Sequence, residues 1–314
     1  MYIYLDQNKW IDFARAVLDK PKGAEFKEVS NKIISKVESG EWVLPISIVH
    51  IMETINIKDE VRKEEFSKIL FDYSKANTIC SYNKISKYEF VNAWLEIFGE
   101  SIDVKDILFE QNICNLLDID NDDYDKPMYK LINNIINSQD VLFNLTNSSI
   151  FDTIVSTERT EWESFAATTE IARNNLIATV KDDSKRFKYI IVDEYKRLET
   201  ASNEAMTLEA RKRGLLNDAC IKRADDYIQN NFEEWLQKLP SLFVRANLCL
   251  QRYKNTSKPF DRNDVKDMAF LSTAIPYCDI VITEKSWTSH TKSSGLDKMY
   301  GTKILSNLND LLNI

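Results

Sequence analysis

The scarcest resource in this chain is the turn: it has six glycines and six prolines in 314 residues, against about 7% and 5% in ordinary proteins. A chain so poor in turn residues, and rich in Lys, Glu, Asn and Ile, is expected to be dominated by long helices. The same scarcity removes chemistry. The closest glycines, Gly295 and Gly301, are six apart and follow no phosphate-loop pattern, so nucleotide binding through G-x-G-x-x-G or a P-loop is excluded. The two histidines, His50 and His290, have no metal-ligand spacing. The five cysteines (Cys80, Cys114, Cys220, Cys249, Cys278) form no C-x-x-C pair. Scattered, odd-numbered thiols suggest a reducing compartment.

The length amounts to roughly two domains of about 150 residues, and 44% hydrophobic with 29% charged residues is an ordinary globular composition. The opening MYIYLDQNKW places Asp6 where a secretion signal needs an apolar run. The longest apolar stretch, Val43 to Met52, is interrupted by Pro45, Ser47 and His50 and falls short of the ~20 residues of a membrane span. The expectation is a soluble, cytoplasmic protein without membrane association. A net charge of −8 argues against a generic polyanion binder and leaves a local basic face open.

Tyr2 to Leu5 reads as a strand ending at Asp6, and Lys9 to Leu18 as a helix carrying Trp10, Ile11, Phe13, Ala14 and Val17. A second helix spans about Glu25 to Val37 and stops at Gly40. Trp42-Val43-Leu44 reads as a short strand before Pro45, and Ser47 as N-cap of a helix with Ile48, Ile51, Met52 and Ile55. From about Lys58 to Pro240 helical periodicity with mixed charge dominates. Its acidic stretch Asp118 to Asp125 has Asp123 and Tyr129 where a calcium loop needs glycine and glutamate, so it reads as a solvated loop. The last fifty residues return to strand–helix alternation. Asn263-Asp264 caps a helix ended by Pro276, Ile280 to Thr283 is a buried strand, and Lys303-Ile-Leu305 is a last strand before a helix capped by Ser306 and running through Leu312.

Carboxylates recur at comparable places in this layout. Asp6 ends the first strand, Glu53 lies on the helix after the second, and Glu284 follows the strand ending at Thr283. Asp264 and Asp267 are three apart on one helix face. Ligand sites of open α/β sheets form outside the carboxyl ends of the strands. Clustered carboxylates repel one another, a hard divalent cation relieves the repulsion, and such a cation can activate water against a phosphodiester. Each acid also has a structural reading as a cap, a surface residue or a salt-bridge partner. His50 shares a helix face with Glu53.

These segments resemble the PIN-like nuclease superfamily. Tyr4-Leu5-Asp6-Gln7-Asn8 resembles its first-strand motif, and Ile46 to Glu53 the segment that delivers its second acid. Asn263-Asp264-Val-Lys-Asp267-Met-Ala, with Pro276 to Thr283, resembles its third-acid helix and following strand. The resemblance implies an α/β, PIN-like (Rossmann-like) fold: a central parallel sheet formed by both termini, with a large all-helical insertion. Residues 1–57 and 245–314 would form the catalytic domain and 58–244 the insertion. It implies a metal-dependent endoribonuclease using Mg²⁺ or Mn²⁺, with Asp6, Glu53 and Asp267 as ligands and Asn8 and Thr283 in support. Asp264 competes for the third place, and Glu284 would complete the site or position water. Lys285 stands where the family commonly has a fourth aspartate.

The substrate would be tRNA or other structured or single-stranded RNA. A second copy of the chain or a regulatory protein stays open as a partner. Between Lys181 and Arg223, eleven Lys/Arg against eight Asp/Glu form a candidate phosphate-tracking face, equally readable as solvated helices with internal pairs. Tyr189 and Tyr195 are candidates for base stacking or for core packing. The main alternative function is a non-catalytic PIN-like scaffold with a helical partner-binding surface. A small-molecule phosphohydrolase ranks third, because Asn8 breaks the Asp-x-Asp nucleophile motif. By analogy alone, a free-standing nuclease of this kind suits a toxin or antiviral effector.

Overall fold

The computed structural model describes residues 1–111, 115–116 and 149–314; the acidic stretch 118–125 lies outside them. Among the described residues there are five short strands: β1 (Ile3–Leu5), β2 (Thr78–Ile79), β3 (Phe109–Glu110), β4 (Ile280–Ile282) and β5 (Lys303–Leu305). The first and last segments of the chain build the main sheet, which is parallel in the order β1-β4-β5. Tyr4 lies opposite Val281, and Val281 opposite Ile304. Every residue of β1 and β4 is buried, as parallel strands covered on both faces require. The architecture is α/β and mostly helical.

The strand expected at Trp42 to Leu44 is reduced to a single parallel bridge between Tyr2 and Val43. Ile3 donates to the Val43 carbonyl and Val43 to that of Met1, and Pro45 then offers no N–H to continue the ladder. The chain resumes with a bridge from Ile46 to Thr78, while β2 pairs antiparallel with β3.

Helices α1 (Gln7–Val17), α2 (Lys27–Glu38) and α3 (Ile48–Ile55) follow the opening strand. α1 starts two residues before the expected Lys9, because Asp6 accepts from the Gln7 N–H and caps it. A 3-10 turn, Pro21–Phe26, precedes α2 where the sequence suggested helix from Glu25. It crosses α1 so closely that a β-carbon on Gly23 would lie 2.3 Å from the Ala16 nitrogen. α3 begins at Ser47 as expected, within a capping box completed by His50.

Then come α4 (Glu60–Ser74), α5 (Tyr82–Glu96), α6 (Val104–Leu108), α7 (Ser149–Thr179), α8 (Asp183–Lys212), α9 (Asp218–Asn230), α10 (Phe232–Gln237), α11 (Pro240–Lys254) and α12 (Arg262–Tyr277). α13 (Lys285–Ser293) and α14 (Leu296–Tyr300) close the helical series. Two boundaries differ from the sequence reading. Asp261 caps α12, and Pro276 lies inside its last turn instead of ending it. The closing run Leu308–Asn313 is a 3-10 helix capped by Asn307, not an α-helix capped by Ser306. The Asn307 side chain accepts from Asn309 and Asp310 reaches back to the Asn307 N–H, which fixes the start one residue later.

Two hydrophobic clusters hold these elements. The larger surrounds the sheet, joining Ile3, Trp10, Phe13, Ile33 and Val281 to Phe66, Leu70, Ile79 and Ile85 from beyond residue 57. Fully burying each such side chain contributes about 1.5–3 kcal/mol. The second joins Phe90, Trp94, Ile191, Leu198, Trp235 and Leu242 among α5, α8, α10 and α11. Helix α11 serves both, with Val244 and Leu248 in the first and Leu242 and Ala246 in the second. Tyr195 is buried in the second cluster, whereas Tyr189 is exposed. No helix among the described residues is long and apolar enough to cross a membrane.

Candidate active site

All five carboxylates singled out in the sequence line one cleft of about 430 Å³, and Asp6, Glu53, Asp267 and Glu284 arrive there by different routes. Asp6 is carried to the carboxyl end of β1, where its N–H donates to the Ile282 carbonyl and completes the β1–β4 ladder. Its side chain caps α1 through the Gln7 N–H at 2.7 Å and accepts from the Thr283 hydroxyl at 3.2 Å. Glu53 lies in the second turn of α3 and Asp267 in the second turn of α12. Glu284 is the N-terminal flanking residue of α13.

His50 fixes two of these carriers relative to one another. One ring nitrogen takes the Ser47 N–H at 2.8 Å and the other meets the Leu5 carbonyl at 2.9 Å. Because the first nitrogen accepts from a backbone donor, the second carries the proton. The imidazole thus ties the residue before Asp6 to the start of the helix bearing Glu53. Burial pushes its pKa down to about 4, so it is neutral near pH 7 and supports the cleft without entering it.

Neutralisation of the acids is uneven. Glu53 is paired with Lys266 at 2.7 Å. Glu284 accepts from the Asn8 amide at 2.9 Å, and Asp267 from the Trp287 indole N–H at 2.7 Å. Burial pushes Asp6 up to about 6, with Glu284 and Glu53 adding repulsion against the Gln7 and Thr283 hydrogen bonds. Burial pushes Asp267 further, to about 8, with the charges of Asp6 and Glu284 reinforcing it. Beside them Gln7 is buried, and its Oε1 has no hydrogen-bond partner among the described residues.

Asp264 is placed differently. It lines the same cleft, but its carboxylate is held by the buried Arg252 at 2.8 Å and accepts the Asp261 N–H at 3.0 Å. Arg252 in turn gathers the carbonyls of Asn255, Lys258 and Pro259. Asp264 and Asp267 share a helix face, yet the first is committed to folding the 255–261 loop and the second faces other acids. Nothing in the local sequence marks Arg252, twelve residues away, as the partner that separates them.

The cleft is also lined by Asn263 and His290, which the sequence reading took as a helix cap and as a histidine without metal-ligand spacing, and by Lys258, Ser286 and Trp287, to which it gave no role. Lys258 is exposed and pairs with Asp261 at 3.0 Å. His290 packs edge-on against Trp287, with ring centroids 5.5 Å apart. A spacing of three between Trp287 and His290 on α13 was the available signal. The basic run from Lys181 to Arg223 does not line this cleft, and four of its eleven cations are taken up in pairs within or between helices: Arg186–Asp183, Arg197–Glu194, Lys212–Glu209 and Arg213–Glu100.

A hard divalent cation fits this donor set in kind. The cleft offers carboxylate oxygens whose burial, reinforced by mutual repulsion, raises two pKa values, and an amide oxygen with no partner among the described residues. Among the described residues, no three acidic, histidine or cysteine side chains already close around one point. No protein-family model, curated protein or solved structure matches this chain.

Proposed function

We propose that the chain is a metal-dependent endoribonuclease with a PIN-like α/β core. The observation that carries this reading is the meeting of Asp6, Glu53, Asp267 and Glu284, from distant parts of the chain, in one cleft at the carboxyl end of a parallel sheet. Two of them remain short of compensating charge. Structural carboxylates are ordinarily neutralised by the fold around them, so an acid pair left repelling is suited to a cationic ligand.

Asp6, Glu53 and Asp267 would hold Mg²⁺ or Mn²⁺, with Glu284 completing the set. When bound, the ion supplies charge stabilisation for a phosphodiester and lowers the pKa of water. The remaining work falls to the chain. Thr283 and the Gln7 N–H orient the Asp6 carboxylate, the Trp287 indole orients Asp267, and Asn8 orients Glu284. Lys266 holds Glu53 toward the cleft. Lys258 and His290 line the same cleft, where the phosphate of a bound strand would need positive or hydrogen-bonding groups.

A second reading, a non-catalytic PIN-like scaffold, draws support from the Lys266 pairing of Glu53, which already neutralises one acid of the set. Cleavage of labelled tRNA, single-stranded RNA and single-stranded DNA with Mn²⁺, Mg²⁺ or EDTA separates the two. The nuclease cuts RNA only with metal, and Asp6→Asn abolishes the cutting. The scaffold cuts nothing, and Asp6→Asn removes only a helix cap, about 1 kcal/mol or less.

A further inference from the structure

We propose that the groove between α1, the Pro21–Phe26 turn and the start of α4 is a second nucleotide subsite, binding single-stranded RNA that continues out of the acid cleft; this rests on the nuclease reading. The groove has a volume of about 560 Å³, within the size range of small-molecule pockets. Its floor is apolar, from Ile11, Leu18, Ile57 and Phe66, and its rim carries Arg15, Lys20, Lys22 and Arg62.

Two features favour a nucleic-acid strand as the occupant. The first is charge. Four cations face two acids, Asp59 and Glu65, in a chain whose net charge is −8. Lys20 is paired with Glu65 and Arg15 with Asp12. Asp59 spends its carboxylate on capping α4. Lys22 and Arg62 are exposed and have no ion pair among the described residues. An apolar floor with these two cations at its rim matches a base and its flanking phosphates, since a base face packs on aliphatic side chains without regard to sequence and the cations follow the backbone.

The second feature is continuity with the acid cleft. On α1 the positions 8, 11, 15 and 18 fall on one helical face. Asn8 lines the acid cleft, whereas Ile11, Arg15 and Leu18 line the groove. Asn8 to Arg15 is about 10 Å along the helix axis. The α3 segment repeats the arrangement, with Glu53 in the cleft and Ile57, four residues on, in the groove. A single extended strand can therefore touch both. Gly23 holds the groove wall in place, because any side chain there would collide with the α1 backbone.

The test is anisotropy of a short fluorescein-labelled single-stranded RNA of mixed sequence, titrated with the full-length protein in EDTA so that it is not cut. The expected result is tight binding by wild type and Asp6→Asn, with affinity lowered about tenfold or more in the Lys22→Glu/Arg62→Glu double variant and a shallower salt dependence. Both substituted residues are exposed, and circular dichroism confirms the fold. Val61→Asp, at an exposed position on the groove, weakens binding without removing a cation. Wild-type affinity in the double variant overturns the proposal and leaves the groove to an acidic protein segment; failure of wild type to bind the RNA also overturns it. Cleavage with Mn²⁺ is scored separately, so a nuclease without this subsite is distinguished from a subsite on a protein that does not cut.

Discussion

Buried charge is treated in opposite ways at the two ends of this molecule. In the helical region, Glu194 is enclosed by Arg245 at 3.0 Å, Arg197 and the Tyr82 hydroxyl at 2.8 Å. Although burial opposes it, the two guanidinium groups hold its carboxyl below the ordinary range. Arg245 is also packed over the rings of Tyr82 and Phe165. Glu89, buried nearby, is raised to about 7 by burial, with no other carboxylate pressing on it and with Ser241 and Tyr277 donating to it. At the sheet end, Asp6 and Asp267 are raised by burial and by each other's neighbourhood of acids. The helical region satisfies its charges from within. The cleft leaves acids pressing on one another, and this contrast is what supports the proposal of a site there over a scaffold.

The comparison can be broken most forcefully in the helical region. Arg245→Met removes the more deeply buried of the two cations on Glu194 and leaves only Arg197. It is expected to cost about 2–3 kcal/mol, while adding Glu194→Leu recovers most of that loss. Urea unfolding of the single and double variants measures both. Recovery of nothing would mean that ring packing, not charge, dominates.

His50 is the next largest. Replacing it with Phe leaves the Ser47 N–H and the Leu5 carbonyl unpaired in the core, at an expected cost of about 2–3 kcal/mol. Because those two bonds join the carriers of Asp6 and Glu53, the variant is also expected to lose Mn²⁺-dependent cleavage more than its stability loss explains. Cleavage by the refolded variant at low temperature tests that excess.

The pH dependence sharpens the contrast. Asp6 and Asp267 hold their protons to about pH 6 and 8, above the unfolded value of 3.8. Between about pH 4 and 8 the folded chain therefore binds more protons than the unfolded one, and their contribution to stability falls as pH rises. His50 works in the reverse direction. Its pKa falls to about 4 from 6.5, so its contribution is complete above 6.5 and is lost as pH falls toward 4. Asp267→Asn is expected to remove a downward slope that runs from about pH 4 to 8, so that the alkaline limb of a thermal-stability profile flattens and the rise due to His50 below pH 6.5 steepens.

The sequence carried the fold where local patterns were strong. Asp6 at a strand end, Ser47 as a cap and the run Ile280 to Thr283 could all be read from residue type and spacing, and the sheet joins the opening and closing segments. The strand at Trp42 to Leu44 was over-read, because composition suggests β structure but cannot report that Pro45 ends the pairing after one bridge. The site was legible as a set of acids and illegible as a hierarchy. Asp264 and Asp267 are equivalent in helical spacing, and only the position of Arg252 makes one structural. His50 was visible beside Glu53, but its reach to Leu5 depends on how α3 lies against β1.

That pair of aspartates, three residues apart on one helix, tests the central claim most directly. Unfolding free energies of wild type, Asp264→Asn and Asp267→Asn should be compared at pH 8 in EDTA and in Mn²⁺. The account predicts opposite signs in EDTA. Asp264→Asn loses about 2–4 kcal/mol by breaking a buried ion pair, and Asp267→Asn gains about 1–3 kcal/mol by removing an uncompensated acid. Mn²⁺ then stabilises wild type and Asp264→Asn, but not Asp267→Asn. Destabilisation by both substitutions, with no difference in their response to Mn²⁺, would contradict it.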